Sequence, residues 1–325
     1  MPPFLDGLSI IAASAPRLDL DVSAAMWAGL GLLVIAMLAI DLVFFARGHA
    51  PPLRESIAWS VVWIVVAVAA GGALWAWQGG EAGTQYLAGY VLERSLSLDN
   101  IFVFAVILGY FAVPAPVQPK VLASGIALAV VLRLVFILAG AALLDAFHAT
   151  FYVFGALLLY TAWKLLRHDD AQIEPERNRA LRLLRRRVPM TSGYHGDRLV
   201  ARVAGRRIAT PLLAVFVVVA TTDIVFAVDS IPAIFAVTQE PFVVFAANAF
   251  AMLGLRALYF VLVGLMDRFA YLSHGLALIL AFIGVKMLLI DAWHPPMWLS
   301  LAVIVGALTA TALLSLRAAP ERTAA

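Results

Sequence analysis

The sequence predicts an all-α polytopic membrane protein of about nine transmembrane helices. Three observations predict it. Of 325 residues, 63% are hydrophobic and 13% charged, where soluble domains carry about 25% charged residues. Apolar runs recur from residue 24 to residue 316, each near the roughly 20 residues that cross the hydrocarbon core. Inside two of those runs lie matching frames of acidic residues. Helices are the expected form, because lipid leaves every backbone polar group to be satisfied within its own segment.

Residues 1–23 are expected to form an extracytoplasmic tail. Its short apolar piece, Leu8 to Ala15, ends in Ala-Ser-Ala like a signal-peptide cleavage site. Asp6 precedes it and no Lys or Arg does, whereas signal peptides begin basic. The single transmembrane domain is placed at 24–316, with spans at roughly 24–46, 57–78, 84–111, 119–144, 150–166, 210–238, 242–266, 269–290 and 295–316. Residues 317–325 form the tail that follows.

Lys and Arg in the loops set orientation. Arg47, Arg54, Lys120, Arg268, Arg317 and Arg322 fall on one side. The N-terminal tail holds Arg17 against Asp6, Asp19 and Asp21, and the connections on its side hold Glu81, Asp145, Glu240 and Asp291. The N-terminus is therefore outside and the C-terminus inside, as for a bacterial inner (plasma) membrane protein. The long hydrophilic connection, 167–209, is then cytoplasmic. It carries eleven Arg against five acids, including Arg185-Arg186-Arg187. It reads as a positive-inside segment near anionic lipid, with room for a short basic amphipathic helix. A docking site for a cytoplasmic partner is the other reading. The basic charge is not read as a nucleic-acid footprint.

The acidic frames are Glu93-Arg94-Ser95-Leu96-Ser97-Leu98-Asp99-Asn100-Ile101 and Asp223-Ile224-Val225-Phe226-Ala227-Val228-Asp229-Ser230-Ile231. With Asp99 set on Asp229, Glu93 falls on Asp223 and Asn100 on Ser230. The next spans match through Ala127–Arg133 and Ala249–Arg256, and the third through Lys164-Leu165-Leu166 and Lys286-Met287-Leu288. Each half holds three spans (repeat one 84–166, repeat two 210–290). Three is odd, so the second half enters the membrane inverted. This 3+3 inverted-topology repeat of spans 3–5 and 6–8 is the organisation of secondary transporters, whose sites lie near the midplane.

An intramembrane charge costs at least about 2.5–3.5 kcal/mol, which makes such residues functional candidates. Residues six apart on a straight helix point about 120° from each other. Either the helix unwinds between the paired acids or each acid faces a different inner surface. Pro232 favours unwinding in the second frame. The donors are all oxygen: Glu93, Asp99, Asp223 and Asp229, with Asn100, Ser230 and Thr222 beside them and Asp41 in the first span. Such sets suit Mg²⁺, Ca²⁺ or Mn²⁺. Arg94, Arg133 and Arg256 balance part of the charge, and acids that stay protonated would couple metal to proton movement. The competing reading is that each acid pairs with an Arg as helix-packing glue. Lys164 and Lys286 are expected to snorkel. Cysteine is absent, which excludes thiolate sites and disulfides.

The two acidic motifs, Pro232, Asp41 and the long loop after the fifth span resemble the TerC family of integral membrane proteins over roughly residues 25 to 315. The family is named for tellurium resistance. The resemblance implies membership of the LysE-like transporter superfamily, Mn²⁺ export as the activity, and Glu93, Asp99, Asp223 and Asp229 as the intramembrane acids.

Three functions follow as expectations. The first is a secondary transporter exporting a hard divalent cation, Mn²⁺, with membrane lipids, the metal and protons as partners and no tightly bound cofactor. The second is an oxyanion (tellurite) transporter using Arg94, Arg133 and Arg256. The third is a membrane scaffold of a metal-stress complex that recruits a cytoplasmic partner through 167–209. No nucleophile–base pair, cofactor motif or P-loop is visible, so the chain is not expected to be an enzyme.

Overall fold

In the computed structural model the long apolar segments fold as helix wherever they are described, because only helices satisfy their own backbone within an apolar run. The structure describes residues 18, 20, 22–45, 51–167, 178–203, 206–263, 271–292, 295 and 297–322. The Leu8–Ala15 piece lies outside the described residues, as do most of the proposed tail and Arg268.

The first three helices are α1 (Ala24–Phe45), α2 (Leu53–Gln78) and α3 (Gly80–Tyr110). After them come α4 (Gln118–Ala146), α5 (Thr150–Arg167) and the short α6 (Arg179–Arg187). A hairpin of β1 (Val200–Val203) and β2 (Arg206–Ala209) leads into α7 (Pro211–Phe235). The chain ends through α8 (Pro241–Met252), α9 (Leu255–Val263), α10 (Leu272–Leu288) and α11 (Met297–Arg322). Among the described residues four helices, α1, α2, α4 and α7, are long and apolar enough to cross a membrane, and five spans result if α8 and α9 count as one. The protein is thus a mostly helical, polytopic membrane protein. Large apolar side chains on its outer helices face outward, among them Leu32, Val43, Val65 and Leu314.

Four local expectations are corrected. First, α3 does not unwind at Ser95 to Asn100; it is one helix of 31 residues. Pro232 does not interrupt α7 either, since the helix continues to Phe235, three residues beyond it. A proline near a helix end forfeits one bond while the last turn survives. Second, the run 242–266 is two helices bent by 43°. Gly254 between them takes φ +77°, and a Cβ there would lie 2.6 Å from the Trp63 ring. Only glycine fits both the backbone angle and the contact. Third, the basic segment holds more than a helix. Asn178 caps α6 by accepting from the Ala180 and Leu181 amides, and the hairpin follows. Fourth, Asp145 lies in the last turn of α4 rather than in a loop.

The centre is α8, whose residues Phe242 to Met252 are all buried. A helix apolar on every side belongs inside the bundle. α8 packs on α3, and α7 packs on α4. α5 and α10 form the most extensive helix pair. They approach closely because Gly155 and Gly284 face each other: a Cβ on either would lie 2.9 or 3.0 Å from the other's carbonyl oxygen. Small residues at helix crossings are the usual means of close approach in membranes.

Candidate functional site

α3, α4 and α7 bring three charges together in the protein interior. Glu93 on α3 is 0% exposed, Arg133 on α4 1% and Asp223 on α7 2%. Arg133 Nη1 donates to Glu93 Oε1, and Arg133 Nε lies 3.7 Å from Asp223 Oδ1. One guanidinium therefore stands between two carboxylates from the first helices of the two proposed repeats. With all three ionised, the cluster carries a net charge of minus one.

The cluster is not saturated. Glu93 Oε2, both Asp223 carboxylate oxygens, Arg133 Nε and the hydroxyls of Ser97 and Ser230 are buried without a hydrogen-bond partner among the described residues. Buried polar atoms are normally bonded, and each exception calls for an explanation. Asn100 is buried as well. Thr222 turns its hydroxyl back to the Val218 carbonyl at 2.7 Å.

The remaining acids lie elsewhere. Asp229 Oδ1 accepts from Thr161 Oγ1 of α5 at 2.9 Å. Because α7 is continuous, six residues of helix turn Asp229 about 120° from Asp223. The helical backbone of α3 separates Asp99 from Glu93 by the same rotation; the Asp99 side chain lies outside the described residues. Asp41 on α1 is buried and takes Arg256: Nη2 lies 2.8 Å from Asp41 Oδ2 and also donates to the Asp41 carbonyl. Among the described residues no three His, Asp or Glu side chains form a group able to hold a metal.

Three residues escaped sequence reading. Thr161 was hidden as one hydroxyl in an apolar run. Asn248, buried on α8 with its Nδ2 unpartnered among the described residues, is the amide in Pro241–Met252 and was visible as such. Lys286 does not snorkel. Its ammonium donates to the Ala236 carbonyl at 2.9 Å and to Ser300 at 3.3 Å, so it caps the C-terminal end of α7, where a cation is favoured.

On the far side of α7, Asn178 Nδ2 donates to Thr221 Oγ1 at 2.7 Å. This ties the start of α6 to α7 two residues before Asp223. Outside the membrane-spanning helices, Lys120 Nζ meets Asp197 at 2.6 Å, and that hydrogen bond holds the Asp197 carboxyl below its ordinary range.

These features define an integral membrane protein with a charge-paired interior. Residues 78–323 match the family model "Integral membrane protein TerC family". The chain belongs to the TerC family. It is 45% identical to a membrane protein of Myxococcus xanthus, STKORF319, over 90% of this chain and 92% of the relative. It is 41% identical to a proposed membrane-bound redox modulator, Alx, of Escherichia coli K12, over 89% of this chain and 94% of the relative. A Mycobacterium bovis membrane protein, Mb2742, is 42% identical over 85% of this chain and 70% of its own length. No solved structure matches this chain.

Proposed function

We propose that the chain is a secondary transporter that exports a hard divalent cation, Mn²⁺, from the cytoplasm across a bacterial inner membrane. The observation that carries this reading is the unsaturated cluster of Glu93, Arg133 and Asp223. Its spare atoms are mainly oxygens, its net charge favours a cation, and oxygen-only donors suit hard ions. Cation entry takes up the ionised carboxylates and weakens the hold of Arg133 on one of them; after release, one proton on a carboxylate neutralises the emptied site for its return, so metal and protons move in exchange. Asp229 with Thr161 lines the route in this reading, Asp99 is the matching acid of the first frame, and Asn100, Ser230 and Thr222 supply neutral oxygens.

Nine spans, N-out and C-in, with a 3+3 inverted repeat complete the proposal. Matched helix pairings support the repeat. α3 on α8 and α4 on α7 are the same pairing taken in opposite directions, and α5 meets its counterpart α10. An oxyanion reading fares worse, because the arginines are committed: Arg133 to Glu93 and Asp223, Arg256 to Asp41, and Arg94 to backbone carbonyls. The redox role in the name of the Alx relatives comes to this chain only as an indirect effect of metal balance, since a chain with no cysteine performs no thiol–disulfide exchange.

The test is ion flux into proteoliposomes, with Mn²⁺, Mg²⁺, Ca²⁺ and tellurite as separate arms and internal pH recorded. Saturable Mn²⁺ movement with opposing proton movement is expected. Absence of flux for every divalent ion sinks the reading.

A further inference from the structure

Arg94 is the third interior arginine, and its bonding differs from that of the other two. Arg133 and Arg256 meet carboxylates. Arg94 has no carboxylate partner among the described residues. Its Nη1 donates instead to two backbone carbonyls, Ala251 O at 2.7 Å and Leu253 O at 3.1 Å. Its Nη2 is buried and unpartnered among the described residues.

Those carbonyls belong to the end of α8, where the chain breaks before α9. The last four carbonyls of a helix have no intrahelical donor, and together they carry about half a negative charge. Ala251, Met252 and Leu253 are at most 1% exposed, so water does not satisfy them. In transporters with interrupted helices, half-helix ends and unwound carbonyls are where small monovalent cations bind. Here a guanidinium from α3 is already in place.

We infer that Arg94 is a tethered cation, filling a carbonyl site at the break between α8 and α9 that would otherwise take a small monovalent cation from solution. Three features fit the site to a fixed charge. The break is built rather than incidental, because Gly254 at φ +77° sits against Trp63. One guanidinium nitrogen, Nη1, donates to both carbonyls across the break, so a single fixed donor spans Ala251 O and Leu253 O. Arg94 is also the chain neighbour of Glu93, so the break and the acidic cluster share one turn of α3. The inference stands on this geometry alone. Its consequence for coupling rests on the transport reading: with the site filled internally, metal movement needs no Na⁺ or K⁺ gradient.

The experiment uses the full-length protein in lipid nanodiscs, with unfolding followed by tryptophan fluorescence. Arg94→Ala is expected to lower Tm by about 5–10 °C through loss of two charge-assisted bonds. Millimolar guanidinium should restore at least half of the loss, while choline at equal ionic strength restores none and the wild type responds to neither. Equal recovery in choline, or an unchanged Tm in Arg94→Ala, overturns the inference. Arg94→Gln keeps a donor and removes the charge. It is expected to melt several degrees below wild type, and a wild-type Tm there shows that hydrogen bonding suffices without charge and also overturns the inference. Replacing Na⁺ and K⁺ by choline should leave Mn²⁺ flux unchanged; a dependence on either ion overturns the consequence for coupling. Guanidinium rescue in a protein that moves no Mn²⁺ upholds Arg94 as a tethered cation and sinks the transport reading instead.

Discussion

Neutralising Glu93 and neutralising Arg133 should have opposite orders of effect on stability and on transport. The cluster holds two acids and one guanidinium, all at most 2% exposed. Arg133→Gln leaves two buried carboxylates without a cation. Removing one partner from a buried ion pair costs about 3–5 kcal/mol, and here two acids are stranded by one change. Glu93→Gln instead leaves Arg133 with Asp223, a neutral pair. It forfeits a charge-assisted bond worth about 1.5–3 kcal/mol but removes the cost of an excess buried charge, which after relaxation is several kcal/mol. The two terms nearly cancel, so the net change should stay within about 1 kcal/mol. Asp223→Asn should behave as Glu93→Gln does.

Transport should follow charge rather than stability. Under the transport reading, Glu93→Gln and Asp223→Asn each remove the negative excess proposed to attract the cation, so Mn²⁺ flux should fall by at least about tenfold, the equivalent of about 1.4 kcal/mol. Thermal unfolding in nanodiscs and Mn²⁺ flux in proteoliposomes, measured on the same preparations, separate the two orders. If the acids and Arg133 are only packing glue, the neutral triple variant Glu93→Gln, Arg133→Met, Asp223→Asn should transport normally. Full flux in that variant refutes the site, and a Glu93→Gln protein as unstable as Arg133→Gln refutes the charge reasoning.

Other outcomes follow from local geometry. Gly155→Ala places a Cβ 2.9 Å from the Gly284 carbonyl and should cost about 1–3 kcal/mol by forcing α5 from α10, seen as a lower Tm. Asn178→Ala removes both the α6 cap, worth about 1 kcal/mol, and the bond to Thr221; hydrogen exchange over 179–187 should accelerate, and less so in Thr221→Val, which loses the bond alone. The lowered carboxyl of Asp197 contributes stability above its unfolded value of 3.8 and loses it as pH falls through the still lower folded value. Exchange in the hairpin should therefore rise only at strongly acid pH, and Lys120→Ala should abolish that pH dependence.

The helices were legible because their signal is mass composition. Among the described residues the apolar runs fold as helices with ends displaced by a few residues, and the run 242–266 holds two of them. What escaped was set by single backbone angles and by distant partners. The break at Leu253–Gly254 sits in an apolar run containing no proline, and Gly254 is marked only by the Trp63 ring pressed against it from α2. The reverse error occurred at Pro232, where a residue read as a breaker lies too near the end of α7 to break it. The acids were legible as candidates, since charge in an apolar run has few structural excuses. Their partners were not, because Thr161 lies 68 residues from Asp229 and Asp41 lies 215 from Arg256.

The arginines bear on why the cluster carries a net charge. Under the repeat reading, Arg133 and Arg256 occupy matching stretches, and a symmetric protein would place both between Glu93 and Asp223. Two acids and two guanidiniums would then cancel, and a cation would gain nothing by entering. On that reading the protein departs from symmetry at this point. Arg256 turns to Asp41 on α1, a helix outside the repeat, and makes both a carboxylate contact and a backbone bond there. α1 thereby withdraws one positive charge from the centre and neutralises it elsewhere. If the cluster is the transport site, Asp41 acts on it by holding Arg256 away rather than by touching the ion. Asp41→Asn should release Arg256 toward the acids and lower Mn²⁺ flux, while Asp41→Asn combined with Arg256→Gln should restore it. A protein in which the double change transports no better than Asp41→Asn alone would show that Asp41 serves the ion directly.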